Sequence, residues 1–208
     1  MVEFARKNSA HENIMFDVFD FCREDAGNLV ARYGRFNRIY SFLTFHYVKD
    51  ERKAFKELAR LLTPNSGECL ITAAVSTAPF DAWLELYLMK RWANLIPDPR
   101  SQFSKQFSFH FRKSKTQVES DIRLMASEAG LKCIALHVYD TEWRFPNVDI
   151  CADSMVEALD FNKYISQADI GDFKADMARA LNGARVEKDS EYFMKSIIYC
   201  LHAQSASL

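Results

Sequence analysis

Short apolar runs alternate with amphipathic helical segments along most of the 208 residues. Residues 38–45 and 69–75 are nearly continuous apolar runs, which suit strands buried on both faces of a parallel sheet. Between them, residues 50–62 carry apolar side chains at helical spacing behind Asp50, a favourable N-cap residue. The alternation predicts an α/β fold with a largely parallel sheet.

The rest of the chain continues this pattern. Further strands are predicted at residues 12–21, 131–145 and 192–203. Further helices are predicted at residues 2–8, 79–95, 114–129, 147–159 and 169–181, and residues 23–34 are a loop or short helix. Ser114 is the expected cap of one helix, and Gly130 closes it. Because no repeat or long linker divides the chain, we expect residues 1–208 to form a single domain.

Composition excludes several classes of protein. The 27 basic and 28 acidic residues give a net charge of −1, which argues against a protein that binds duplex nucleic acid. No apolar run approaches the roughly 18–20 residues that span a membrane. The charged N-terminal segment has no apolar core of a signal peptide. We therefore expect no nucleic-acid partner, no membrane span and a cytoplasmic location.

The cysteines and histidines predict no metal site. The five cysteines are widely spaced and include no CxxC pair, which suits reduced thiols better than disulfides or a zinc site. They are Cys22, Cys69, Cys133, Cys151 and Cys200. His110 and His137 have no partner at ligand spacing, so we expect structural roles for both.

The sequence carries no phosphate-binding loop, since none of its six glycines lies in a GxGxxG or GxxxxGK pattern. In open α/β sheets, ligands bind at the carboxyl ends of the strands, which here follow Phe19, Ser41 and Ala74. The aromatic-rich residues 103–111 suit either an apolar substrate pocket or a core segment, and both interpretations stay open.

Four segments, in order, resemble the class I S-adenosylmethionine-dependent methyltransferases, and among them the arthropod juvenile hormone acid methyltransferases. The third strand of that family, which ends in an acidic and an apolar residue, resembles NIMFDVFDF. Its fourth strand, helix, turn and fifth strand resemble GRFNRIYSFLTFHYVKDERKAFKELARLLTPNSGECLI. Its late helix and sixth strand resemble FSFHFRKSKTQVESDIRLMASEAGLKCIALHVYDTEWRFPNV. Its seventh strand resembles YFMKSIIYCLHA.

The resemblance implies a Rossmann-like fold with an incomplete seven-stranded sheet and helices on both faces. The likeness starts at the helix after the family's second strand, so the first strand, the GxGxG loop and the second strand have no counterpart here. We therefore expect an N-terminally truncated methyltransferase, whose fourth strand presents a bare apolar edge. Such an edge favours poor solubility or oligomerisation.

Six residues take site roles by this resemblance, with S-adenosyl-L-methionine as cofactor. Asp20 would accept a hydrogen bond from the adenine amino group, and Phe21 would pack on the adenine ring. Ser41 and Phe42 lie at the end of the fourth strand, where the family contacts the cofactor, although the size and apolar character of Phe42 favour core packing.

His46 and Tyr47 stand where the family has His-Trp, and the family's Trp helps to position the substrate carboxylate. Tyr47 departs from that pattern. A phenol still donates a hydrogen bond, but from a different point and with a smaller ring.

The implied reaction is direct displacement, in which a carboxylate oxygen attacks the sulfonium methyl group. Since a carboxylate is already ionised near neutral pH, no general base is needed. The implied substrate is a small hydrophobic carboxylic acid, such as a juvenile hormone acid or farnesoic acid. Two alternatives remain open: a non-catalytic methyltransferase-like interaction protein, and a protein that carries a hydrophobic ligand.

Overall fold

Strands and flanking helices of one mixed sheet account for most of the computed structural model, which describes residues 2–21, 23–183, 187–188 and 191–206. The strands are Arg38–Phe42 (β1), Glu68–Thr77 (β2), Leu131–Phe145 (β3), Glu187–Lys188 (β4) and Glu191–Ser205 (β5). The α-helices are Val2–Asn8 (α1), Ala26–Tyr33 (α2), Glu51–Leu61 (α3), Ala78–Leu88 (α4), Lys115–Glu128 (α5), Val148–Ala158 (α6) and Ile170–Asn182 (α7).

The sheet has the strand order β1-β2-β5-β3, and β4 pairs with the start of β5. β1 and β2 run parallel, whereas β5 lies antiparallel to both β2 and β3. The predicted α/β class is confirmed. The prediction of a largely parallel sheet is wrong, because the last strand inserts between two strands that share a direction and reverses both of their pairings.

Helix ends follow their capping residues closely. Asp50 accepts a hydrogen bond from the Lys53 amide at 3.0 Å, and Ser114 accepts one from the Gln117 amide at 3.1 Å. These two helices lie within a residue or two of their predicted bounds. The helix predicted at residues 79–95 ends earlier, at Leu88. The chain turns there and buries Trp92, whose indole N–H donates to Asp176 at 2.8 Å.

Two hydrophobic cores lie on the two faces of the sheet, because neighbouring β5 residues point to opposite faces. Ile198 packs against the core formed with α4, α6 and α7, whereas Tyr199 belongs to the core formed with α3 and α5. β5 therefore contributes to both cores at once. No helix in the described part of the chain is both long and apolar enough to cross a membrane.

The strand predicted at residues 12–21 is wrong. The chain there forms turns and irregular backbone, apart from an isolated bridge between His11 and Ile14. Met15 and Val18 are exposed. A strand exists only by pairing with a neighbour, and the apolar residues of this segment have no neighbouring strand among the described residues.

β1 is also less buried than its sequence predicts. Tyr40 and Phe42 are 58% and 59% exposed, and their rings stack with centroids 6.2 Å apart. Among the described residues, β1 pairs only with β2, so its other side is an open edge. The bare apolar edge expected from the sequence is confirmed.

The cysteines whose placement is described are free thiols, as predicted. Cys69 and Cys151 are buried, and burial raises their thiol pKa values to about 11 and about 12. Cys22 lies outside the described residues.

The open edge of β1 predicts self-association of the purified chain. The Phe42→Lys variant places a charge on this edge, and charged side chains oppose edge-to-edge pairing. We expect light scattering after size exclusion to show a larger monomer fraction for this variant than for the wild type. A substitution of an exposed residue usually changes the free energy of unfolding by no more than about 0.5 kcal/mol, so the variant should melt at nearly the same temperature as the wild type.

Leu124→Lys is the matched control, since Leu124 is an exposed leucine on α5, away from β1. If the wild type is monomeric, or if both lysine variants reduce association equally, the edge is not the contact surface.

Candidate functional site

An apolar cavity of about 260 Å³ opens at the edge of the sheet where β1 and β2 end. This is the side on which α/β sheets bind ligands. The residues that line it are Leu43, His46, Tyr47, Ala74, Thr77, Pro79, Phe80, Trp143, Met155, Ala158, Leu159, Met194, Ser196 and Ile198. No Lys, Arg, Asp or Glu of the described chain is among them, so the cavity offers a bound anion neutral donors only.

The turn after β1 directs the chain towards this cavity. Leu43 adopts a left-handed backbone conformation with φ of 51°, and its amide donates to the Thr72 carbonyl at 2.8 Å. That conformation costs a non-glycine residue about 1–2 kcal/mol. Such strain often occurs at functional sites, where the surrounding structure holds it in place. A short 3-10 helix, Phe45–Tyr47, follows immediately and carries two of the polar residues of the site, His46 and Tyr47.

His46 is held in one tautomer by the backbone of β2. Its ring is buried, and Nδ1 accepts a hydrogen bond from the Ala74 amide at 3.3 Å. Burial lowers the pKa of His46 to about 4, so the ring is neutral at pH 7. A neutral imidazole with an accepting Nδ1 carries its proton on Nε2. His46 therefore presents one uncharged N–H donor.

A β-bulge in β2 supplies the bond to His46. The register against β5 shifts between Ala74 and Ser76, which leaves Val75 as the extra residue. The Ala74 amide bonds His46, and the Val75 carbonyl accepts from the Ser108 amide at 2.7 Å. Bulges commonly lie beside active sites, where they redirect groups out of the ladder. Here the bulge fixes both the histidine and the loop that covers it.

Tyr47 combines a partly exposed ring with a protonated hydroxyl. Its side chain is 44% exposed, and its ring lies 4.3 Å from the His46 ring and 5.4 Å from the Phe103 ring, between centroids. Partial burial raises the pKa of its phenol above the ordinary value, so the hydroxyl is a donor at neutral pH.

The aromatic segment at residues 103–111 belongs to the core rather than to the cavity wall. Phe103 and Phe107 are buried and stack with centroids 4.7 Å apart. Neither lines the cavity. Phe103 instead lies behind His46 and Tyr47, and the Ser104 amide donates to the His46 carbonyl at 2.8 Å. Of the two interpretations left open by the sequence, the structure favours core packing.

Glu51 is a buried carboxyl group beneath this loop. It is 5% exposed, and burial raises its pKa to about 7. Hydrogen bonds from the Ser104 side chain and the Gln106 backbone, together with the charge of Lys113, act in the opposite direction. The Tyr199 hydroxyl is also buried and has no hydrogen-bond partner among the described residues. Burial raises the pKa of its phenol, and the negative charge of Glu51 acts in the same direction.

The residues expected to contact the cofactor are only partly brought together. The Phe21 ring lies 5.8 Å from the Phe45 ring, which joins residues 19–21 to the segment after β1. Asp20 is half-buried, pairs with Arg23 at 3.6 Å, and its amide donates to Glu24. Ser41 pairs with Ile71 in the ladder and is half-buried. The exposed Phe42 ring is not a core residue, as its alternative interpretation would require.

Sequence reasoning missed the far wall of the cavity. That wall comes from β3, α6 and β5, through residues such as Trp143, Met155 and Ser196. The alternate residues Met194, Ser196 and Ile198 share one face of β5, which period-2 spacing allows to be predicted. The position of β5 next to β2 was not visible in that spacing.

The lone histidines His110 and His137 lie outside the lining of this cavity. His110 lies on the surface near Asp81, with Nδ1 and Oδ2 3.8 Å apart, and its amide donates to the same carboxylate at 2.8 Å. His137 is exposed on β3. Within the described residues, no group of three or more His, Cys, Asp or Glu side chains has the arrangement of a metal site.

Comparisons with known proteins confirm the resemblance to methyltransferases. A family profile described as a methyltransferase domain matches residues 1–70. The juvenile hormone acid O-methyltransferase of Bombyx mori is 23% identical over 163 residues, which is 78% of this chain and 55% of that protein. The Drosophila melanogaster protein of the same name is 27% identical over 99 residues, 47% of this chain and 33% of that protein. The chain thus spans about half the length of the first relative and a third of the second.

The fold has a counterpart of known structure. A crystal structure of a candidate methyltransferase from Bacillus halodurans aligns with a TM-score of 0.52 and 16% identity, and covers 99% of this chain and 79% of that one. At this identity the match shows the fold alone, which is Rossmann-like as predicted.

The raised pKa of Glu51 predicts a pH-dependent stability. Between pH 4.5, the ordinary pKa, and about pH 7, the unfolded state ionises while the folded state keeps its proton. The free energy of unfolding should therefore fall as pH rises through this window, by up to about 3 kcal/mol. Urea unfolding at successive pH values should show a fall for the wild type that is missing in Glu51→Gln.

Glu157→Gln is the control, because Glu157 is an exposed carboxylate on α6. This control should retain the wild-type profile. Parallel profiles for wild type and Glu51→Gln would show that Glu51 is ionised in the folded protein.

Proposed function

We propose that this chain, whose residues 1–70 match a methyltransferase-domain profile and whose fold is similar to that of a candidate methyltransferase, transfers a methyl group from S-adenosylmethionine to a small hydrophobic carboxylic acid. The observation that carries the proposal is the apolar cavity with two neutral donors at the strand ends, His46 and Tyr47. An acid of the juvenile hormone acid or farnesoic acid type suits it in chemistry. The names of the two insect relatives support that substrate class.

The cavity is suited to an apolar chain that ends in a carboxylate. Its described lining is almost entirely hydrocarbon and aromatic, which favours burial of the chain. Moving a carboxylate from water into an apolar cavity costs several kcal/mol of free energy unless hydrogen bonds replace those to water. The cavity must therefore supply donors. The Nε2–H of His46 and the hydroxyl of Tyr47 are such donors, and we assign them to the two carboxylate oxygens.

Neutral donors also suit the chemistry of the reaction. A carboxylate bound to Arg or Lys is stabilised by full opposite charge, which lowers its basicity. His46 and Tyr47 orient the oxygens without neutralising them, so the attacking oxygen keeps its negative charge. The contribution of these residues is position and alignment, and alignment of this kind supplies up to about 7–11 kcal/mol in well-oriented reactions.

Part of the cofactor site fits the residues present. Asp20 supplies a carboxylate acceptor for an amino group, Phe21 a half-buried ring, and Ser41 and Phe42 a polar group and an exposed ring at the end of β1. We propose that these four residues hold the adenosine part. When bound, the cofactor supplies an electrophilic methyl group. The 208 residues contain no GxGxG segment for its methionine part.

The remaining expectations from the sequence form part of the same proposal. We infer that residues 1–208 act as one methyltransferase domain in the cytoplasm, with the small acid as partner. The free thiols of Cys69, Cys133, Cys151 and Cys200 support a reducing location.

The test incubates the protein with S-adenosylmethionine that carries a labelled methyl group and with a panel of apolar acids, and measures the labelled methyl ester. We expect the wild type to form the ester. His46→Gln should lower kcat/KM roughly 10–100-fold, which is the effect of losing one hydrogen bond to a charged group. Tyr47→Phe should lower it in the same direction. His137→Gln and Tyr139→Phe are matched controls, because both residues are exposed on β3 outside the cavity lining.

Displacement of a fluorescent fatty acid from the same proteins separates the alternatives. Displacement without any ester product would indicate a protein that carries a hydrophobic ligand. If there is no displacement and no product, the remaining hypothesis is the non-catalytic interaction protein.

A further inference from the structure

A pair of buried hydroxyl groups forms part of the cavity lining. Thr77 at the end of β2 and Ser196 on β5 are cross-strand neighbours, and both are more than nine-tenths buried. Their hydroxyl oxygens are 2.7 Å apart, a distance typical of a hydrogen bond between two hydroxyls. Both residues line the cavity.

The hydrogen bonds of this pair do not use all of its donors. Two hydroxyls carry two protons, and the bond between them uses one, whichever oxygen donates it. No further hydrogen bond joins either hydroxyl to another described residue. The accepting hydroxyl therefore keeps a proton that no described residue accepts, so the pair can donate one further hydrogen bond to a molecule in the cavity that it lines.

This donor lies on different elements from His46 and Tyr47, the donors assigned to the substrate carboxylate. His46 and Tyr47 belong to the 3-10 helix after β1, whereas Thr77 and Ser196 belong to the ladder between β2 and β5. The other residues that line the cavity are mostly apolar, among them Ala74, Phe80 and Ile198. A ligand that meets both sets of donors has a carboxylate at one position and a second polar atom along its apolar chain.

We propose that the Thr77–Ser196 pair selects, among apolar carboxylic acids, those that carry a hydrogen-bond-accepting oxygen along the chain. This inference rests on the proposed acid-binding function and adds a specificity-determining pair to it. The oxygen is of the ketone, ether or ester type, because the pair has a donor to give. A purely hydrocarbon chain leaves that donor unpaired, which reduces its affinity.

The test compares acids of equal chain length, one fully saturated and a series with a single ketone oxygen at successive positions. Each is used to displace a fluorescent fatty acid from the wild type and from the double variant Thr77→Val/Ser196→Ala. In the wild type, one position of the ketone should bind roughly 3–10-fold more tightly than the saturated acid, the range for one net hydrogen bond. In the double variant, that preference should disappear.

Both hydroxyls are removed together because a single substitution leaves the other buried without a partner. The single variant Thr72→Val is the control, since Thr72 is on the same strand outside the cavity lining, and it should keep the preference. Thermal unfolding of each variant checks that it is folded.

The outcomes separate this inference from the function on which it rests. Equal binding of keto and saturated acids by the wild type, or a preference that survives in the double variant, overturns the role of the pair and leaves acid binding intact. A failure of every acid to displace the probe from folded wild type overturns acid binding, and the selectivity with it.

Discussion

The antiparallel insertion of β5 between β2 and β3 is the constraint on which the rest of the structure depends. β5 pairs with β3 from Tyr192 against Phe145 to Ser205 against Leu131. It pairs with β2 along residues 196–204. Because its side chains alternate between the two faces, it anchors both hydrophobic cores. Its first half also forms part of the cavity wall, through Met194, Ser196 and Ile198. The same strand thus determines stability and the shape of the site.

The elements that could be predicted from the sequence are those whose signals are local. Asp50 and Ser114 cap their helices as their side-chain chemistry predicts, and Gly130 takes the left-handed conformation that closes α5. The failures concern pairing. Residues 12–21 have strand-like composition but no neighbouring strand in the described chain, and composition does not reveal a missing neighbour. The direction of β5 was invisible for the same reason, since periodicity shows which residues share a face and not which strand lies beside them.

The candidate site divides in the same way. The likeness of the FHYVKD segment to a known family directed attention to His46 and Tyr47, and the structure places both in one cavity. That likeness could not predict the tautomer of His46, which depends on the bulge at Val75 and the freed amide of Ala74. The expected roles of Asp20, Phe21, Ser41 and Phe42 remain proposals. The structure does show that the Phe21 ring packs against the Phe45 ring, and this contact brings residues 19–21 to the end of β1.

On the proposed function, a cavity whose described lining carries no charged residue solves a particular problem of methyl transfer to an acid. The substrate enters with a negative charge and leaves as a neutral ester, so a site built on Arg or Lys would keep its own charge unpaired after the reaction. His46, neutral because burial lowers its pKa to about 4, has no charge to leave behind. In the proposed reaction, its Nε2–H would donate to a carboxylate oxygen before transfer and to an ester carbonyl after it. On the proposed function, the apolar lining and the neutral histidine are therefore two consequences of one electrostatic requirement, that the site tolerate both the anion and the ester.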